Sequence, residues 1–265
     1  MQKSIGICLL LVVMGGIALS ACDTATPVPS ETAVLNTVEA QSPPVLSEGY
    51  IGGGLLYDDW MKAINVDAPA GDHPLWKTQT TNTRTGKDTW RCKECHGWDY
   101  KGVDGAYGSG SHQTGFKGLL NASSMSDEDL LASLDGTKNP DHDFSSFLDD
   151  SHLLRLVEFL KQGITDTAQF INSDKTVNGG DVEHGKELFN GLCQACHAED
   201  GKTLNFGDES EPEYVGTIAS DNPWEFWHKV SFGQPYTQMP SALKSSWSFQ
   251  DIADLLAYAQ TLPTE

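Results

Sequence analysis

Basic side chains are scarce in this chain: 17 Lys and Arg stand against 37 Asp and Glu, a formal net charge of −20 over 265 residues. Such a surface repels polyanions, which disfavours nucleic acid and a bare anionic membrane as partners and leaves a basic face on another protein open. Charge that only keeps an exported protein soluble reads the same way. Long apolar runs are also absent. The longest, Ile5 to Leu19, has fifteen residues, short of the about 20 that a membrane-spanning helix needs. The Gly-rich stretch from Gly97 to Gly118 has neither Walker nor dinucleotide spacing, so it is read as a loop. Of six cysteines, Cys8 and Cys22 lie in or beside the N-terminal apolar run and four fall in two short motifs. None is left for a disulfide or a catalytic thiol.

The motifs are Cys92-Lys93-Glu94-Cys95-His96 and Cys193-Gln194-Ala195-Cys196-His197. Two cysteines three apart sit one turn apart on a short helix, where each thiol can add to one vinyl group of the same porphyrin. The adjacent histidine then reaches the iron. A random chain of this composition holds such a pentapeptide roughly 0.004 times, so chance does not supply two. The spacing assigns Cys92, Cys95, Cys193 and Cys196 to two covalently bound haem c groups, with His96 and His197 as iron ligands. Structural cysteines, or half of a zinc site, are the alternative.

The N-terminus reads as an export signal over 1–21: Lys3, an apolar run, then small residues. Its end, Leu19-Ser20-Ala21-Cys22, resembles the lipobox of bacterial lipoproteins, which implies cleavage before Cys22 and a lipid on that cysteine. An ordinary cleaved signal is the rival. The resemblance implies several acyl chains, which anchor stably where a single chain does not. Residues 22–48 are then a lipid-anchored tether. Asp23 to Ser47 holds Thr, Pro, Ser, Glu, Ala and Val with no aromatic residue, too little to order itself. Losing Lys3 with the signal takes the charge from −20 to −21. The expected location is extracytoplasmic, on the outer side of a bacterial membrane.

Beyond a pre-haem extension at 49–79, expected to pack over the first haem segment, the chain divides into two haem segments, 80–165 and 179–265, joined by a linker at 166–178. In the second, Val182 to Gln194 carries Gly185, Leu188, Phe189 and Leu192 on a helix that runs into the motif. Ser248 to Leu262 puts Ile252, Leu255, Leu256 and Ala259 on one face of a closing helix. Gln238-Met239-Pro240 lies just ahead of it. These features resemble the class I cytochrome c fold, which implies that the two helices cross at Gly185 and that Met239 is the sixth iron ligand. Thioether sulfur suits reduced iron and raises its potential. The first segment has a closing helix at Asp149 to Gln162, with Leu153, Leu154, Val157, Phe159 and Leu160 as its apolar set. Its opening helix is expected to be short, with Gly86 in the place of Gly185. The fold expected is mainly α: two tandem class I cytochrome c-like domains after a disordered tether. The whole resembles bacterial dihaem cytochromes c.

The first segment has no methionine-proline pair, and its sixth ligand depends on register. Gly136 to His142 lies on Gly233 to Met239 with equal offsets, which makes His142 the counterpart of Met239. Met125 and His112 are rivals, Met125 beside what reads as a capped helix start. His73, His152, His184 and His228 are read as surface histidines, and Trp76, Trp90, Trp98, Trp224, Trp227 and Trp247 as haem packing. The run Asp208 to Glu213 is either a docking patch or a solvated loop.

The resemblance implies a one-electron carrier, not an enzyme, passing electrons from a His96/His142 haem to a His197/Met239 haem and on to other redox proteins. Two enzymes compete with it: a dihaem peroxidase, and a thiosulfate dehydrogenase-like protein, for which no cysteine ligand is available. A haem subunit docked on a dehydrogenase is the third reading.

Overall fold

The structure is a computed structural model that describes residues 48–265. The export signal, Cys22 and all of the tether expected at 22–48 except Glu48, which begins the first helix, lie outside the described residues. Nine α-helices carry the described fold: α1 Glu48–Ala63, α2 Cys92–His96, α3 Asp127–Leu134, α4 Asp150–Glu158, α5 Val182–Leu188, α6 Gln194–His197, α7 Val215–Asp221, α8 Pro223–Phe232 and α9 Phe249–Ala259. Among the described residues there is no strand, only three isolated bridges. No helix among them is long and apolar enough to cross a membrane.

The second half follows the expected plan. Asp181 caps α5, accepting from the amides of Glu183 and His184. The chain then passes through one π turn, Phe189–Cys193, straight into α6. Ser248 and Asp251 form a capping box at the start of α9, which satisfies N–H groups that a helix start leaves free. Ile252, Leu255, Leu256 and Ala259 are all buried, each large side chain contributing about 1.5–3 kcal/mol by leaving water. A Cβ on Gly185 would fall on the Asp254 carbonyl oxygen and 2.9 Å from the Tyr258 Cβ, so only glycine lets α5 and α9 cross this closely.

The first half corrects the expectation about its opening helix. Gly86 starts a short 3-10 turn, Gly86–Trp90, and nothing lies near its absent side chain. The helix that crosses α4 is α1, inside the 49–79 segment. There a Cβ on Gly53 would fall on the Arg155 carbonyl oxygen and 2.5 Å from the Phe159 Cβ. In both halves the glycine meets a carbonyl on the closing helix and a side chain one turn further on. Asp149 caps α4, and a π turn, Phe159–Gly163, extends it. The buried stripe of α4 is Leu153, Leu156, Val157 and Leu160, while Leu154, expected inside, is 52 % exposed. The spacing i, i+3, i+4, i+7 selects Leu156 over Leu154.

The α1 helix also packs on α8, and the halves meet over an aromatic centre: Tyr57 with His228 at 5.6 Å and Phe159 with Phe232 at 5.3 Å. His228, expected on the surface, is fully buried. Its Nε2–H donates to the Gly54 carbonyl at 3.0 Å, and its Nδ1 accepts from the Tyr100 hydroxyl at 2.7 Å. Burial pushes its pKa down to about 4, and that neutral tautomer satisfies both partners. Nearby, Asp58 binds Arg91 Nη2 at 2.6 Å and Lys229. Lys93 and Lys229 lie over the Trp98 ring at 5.3 and 5.2 Å. Trp98 therefore serves the junction of the halves.

Candidate haem sites

Each motif occupies the same local fold. The amide after each motif histidine closes the helix: Gly97 N–H to Lys93 O and Ala198 N–H to Gln194 O, both 2.9 Å. Both capping residues have positive φ, +79° at Gly97 and +62° at Ala198. Each histidine carbonyl then accepts from the residue six further on, Gly102 at 2.9 Å and Thr203 at 3.2 Å. The returning chain bonds to the same place again, Leu119 N–H to Tyr100 O at 2.7 Å and Val215 N–H to Gly201 O at 3.4 Å. This repeat extends well past the five motif residues and lies in main-chain bonds that few side chains advertise.

The loops ahead of the closing helices also correspond. Gly136, φ +79°, follows α3, and Gly233, φ +92°, ends α8. A Cβ on Gly136 would meet Asp143, next to His142, and one on Gly233 would meet the carbonyl of Met239, 2.7 Å away. The chain then bonds back to the preceding helix, Phe144 N–H to Leu134 O at 2.8 Å and Ala242 N–H to Val230 O at 2.9 Å.

In the first half the structure gathers Cys92, Cys95, His96 and His142 around one cleft, which His73, Trp90, Phe116 and Phe144 also line. The His96 and His142 ring centroids are 6.4 Å apart. Two imidazoles on opposite sides of one metal ion, with bonds of about 2 Å, have centroids about 6.3 Å apart. Nδ1–H of His96 donates to the Lys117 carbonyl at 2.8 Å, and Nδ1–H of His142 to the Ser133 carbonyl at 2.6 Å. That leaves Nε2 of each ring without the proton and available to a metal ion. Burial lowers the pKa of His96 to about 4 and that of His142 below 6.5, so both are neutral donors at pH 7. These residues fit a six-coordinate haem iron.

The rivals are placed otherwise. His112 is held by Glu94 at 3.0 Å and Arg84 at 2.9 Å and stacks on Tyr107 at 4.5 Å. Met125 packs against the core beside the start of α3, where Ser126 caps the helix. His73, expected on the surface, is buried at 4 % exposure against Trp90, 4.7 Å between centroids. Sequence reasoning missed His73 and Phe144 as cleft residues, and also the carbonyls of Lys117 and Ser133. The first two lie in loops outside any periodic pattern; the carbonyls have no side-chain signature.

In the second half Cys193 is half-buried, Cys196 is exposed, and His197 packs near Phe206 at 5.9 Å. The His197 Nδ1 is buried without a protein hydrogen-bond partner, in contrast to its counterpart His96. Burial lowers the His197 pKa as well. Met239 is half-buried and packs against the core. Burial raises the Cys92 thiol to about 12 and the Cys193 thiol to about 11, which keeps them protonated and not poised as thiolates. Among the described residues, the one metal-competent cluster of His, Cys and carboxylates is His184, Asp251 and Asp254, which includes no motif cysteine.

Residues 180–258 match the family described as cytochrome C oxidase, cbb3-type, subunit III. The matched stretch contains α5, the second motif, Met239 and nearly all of α9, and it is a class I c-type cytochrome domain. Such a domain holds haem c covalently and points to haem-based electron transfer. A comparison with curated proteins gave no match.

Proposed function

We propose that the chain is a dihaem c-type cytochrome that carries single electrons and has no substrate of its own. In this reading Cys92 and Cys95 hold the first haem, with His96 and His142 on its iron. Cys193 and Cys196 hold the second, with His197 and Met239. The observation that carries it is the repeat of main-chain bonds and crossing glycines, which supports reading the first half on the plan of the matched cytochrome c domain. Haem c, when bound, supplies the one-electron chemistry. The polypeptide sets potential and access. Imidazole/thioether ligation lies above bis-imidazole ligation, so the first half is the donor side and the second the acceptor side. With His96 and His142 on one iron and His197 and Met239 on the other, protein groups would saturate both, which would leave no position for inner-sphere chemistry.

The lipobox-like Leu19 to Cys22 supports anchoring at Cys22 on the extracytoplasmic side of a membrane. With 37 acidic and 17 basic residues, the chain suits partners with basic docking faces. A second reading, a haem subunit docked on a larger oxidoreductase, draws support from the oxidase-subunit description of the matched family.

Mass spectrometry of the mature holoprotein and exposure of its reduced form to carbon monoxide and peroxide test the carrier. Two covalent haem increments with no rapid ligand binding are expected. One increment, or peroxide turnover, overturns it. Stoichiometric co-purification with a membrane oxidoreductase after detergent extraction would favour the docked subunit.

A further inference from the structure

We infer that the imidazoles of His96 and His142 are locked crosswise, so that the first haem is a bis-imidazole centre with near-perpendicular axial rings. This rests on the reading of His142 as an iron ligand and adds the electronic character of that site. The two ring planes stand 80° apart. Both orientations are built into the main chain.

The His96 ring is fixed by its bond to the Lys117 carbonyl, 2.8 Å. That carbonyl is itself held where the Gly-rich loop closes on itself, through the Gly102–Lys117 bridge and the 2.8 Å bond from Val103 N–H to Phe116 O. The His142 ring is fixed by its 2.6 Å bond to the Ser133 carbonyl. Ser133 lies in the last turn of α3, where helix carbonyls have no partner of their own, so His142 completes the helix end as it is oriented. Rotation is blocked from the sides. Phe144 packs edge-on to His142 at 5.1 Å and 81°, and His73 at 5.8 Å and 63°. His73 is in turn immobilised: its amide donates to Thr89 Oγ1 at 2.8 Å, and its Nδ1 accepts from Leu75 N–H at 3.2 Å. His73 is thus a positioning residue for His142.

Crossed axial imidazoles donate into different iron d orbitals and leave them nearly equal in energy. Parallel rings split them. The first arrangement gives the oxidised low-spin iron a strongly anisotropic electron paramagnetic resonance signal with one resolved low-field feature, the second an ordinary three-feature rhombic signal. Crossing also stabilises the oxidised iron less than parallel stacking does, which narrows the potential step between the two haems.

The test is electron paramagnetic resonance of the fully oxidised holoprotein, with His142→Ala, His73→Ala and Phe144→Leu beside it. The strongly anisotropic signal is expected in the wild type and should disappear in His142→Ala. His73→Ala or Phe144→Leu should move it toward the rhombic form while the optical spectrum stays low-spin. A rhombic wild-type signal that His142→Ala abolishes overturns the crossed geometry and keeps His142 as ligand. A wild-type spectrum unchanged by His142→Ala overturns the ligand reading itself. The wild-type spectrum decides the geometry even where a variant fails to fold.

Discussion

Asp58→Asn removes one negative charge from the junction of the two halves at almost constant volume. The Asp58 side chain is 1 % exposed and binds Arg91 Nη2 at 2.6 Å and Lys229, whose side chains are 19 % and 16 % exposed. Burial alone would raise the carboxyl pKa, but Lys229 and Arg91 outweigh it and hold the group below 3.8. The amide takes the carboxylate partner from Lys229 and leaves Arg91 only the more distant Asp59. Breaking such a buried pair costs about 3–5 kcal/mol. Arg91 keeps its 2.8 Å bond to the Asp58 main-chain carbonyl and lies 3.9 Å from Asp59, so the lower end, about 3 kcal/mol, is expected. For a fold of this size that is a fall in Tm of about 6–12 °C, read by thermal circular dichroism of the holoprotein near pH 7. The wild type should show the same linkage in acid: the contribution is complete above the unfolded carboxyl pKa and fades below it, as pH falls through the lowered folded value. Adding Lys229→Met to Asp58→Asn should recover part of the loss, since the charges are coupled. A Tm drop under about 2 °C for Asp58→Asn, near 1 kcal/mol or less, would refute the idea that this node ties the halves together.

Gly185→Val and Gly53→Val should each cost about 3 kcal/mol or more, since the new Cβ meets a main-chain carbonyl that cannot yield; chemical denaturation checks this, and a tolerant Gly53 would deny α1 its role as the crossing helix. His184 donates to Asp254 at 2.8 Å, and that bond raises its pKa above 6.5. Its stabilising effect is complete below the ordinary imidazole value and is lost as pH rises through the raised one, so the stability gap between wild type and His184→Gln should shrink from mildly acidic to alkaline pH; a constant gap refutes the charged pair. Cys22→Ser should move the protein from the membrane to the soluble fraction, and sedimentation after a high-salt wash shows whether something else anchors it.

Legibility in the sequence tracks what is local in the chain. The attachment motifs, the capped α9 with its stripe at Ile252, Leu255, Leu256 and Ala259, and the glycine-led loop to Met239 each need only neighbouring residues to be recognised. The opening helix of the first half escapes its sequence pattern because the 64–91 stretch separates α1 from its motif, and Gly53 is one of three adjacent glycines. His73 and His228 look like surface residues in sequence because their burial depends on distant partners: Thr89 for His73, Gly54 and Tyr100 for His228. The Leu154 and Leu156 exchange arises where closely spaced apolar residues fit two stripes at once. The carbonyls of Lys117 and Ser133, which orient the two imidazoles, belong to residues whose side chains say nothing about them.

Near-infrared magnetic circular dichroism of the fully oxidised holoprotein bears most directly on the ligand sets. His96/His142 and His197/Met239 predict two low-spin charge-transfer bands of similar weight, one from bis-imidazole iron and one from imidazole–thioether iron. His142→Ala should remove the first and leave the second. A single band, two bands of the same ligand type, or a high-spin haem in the untreated protein would contradict the account.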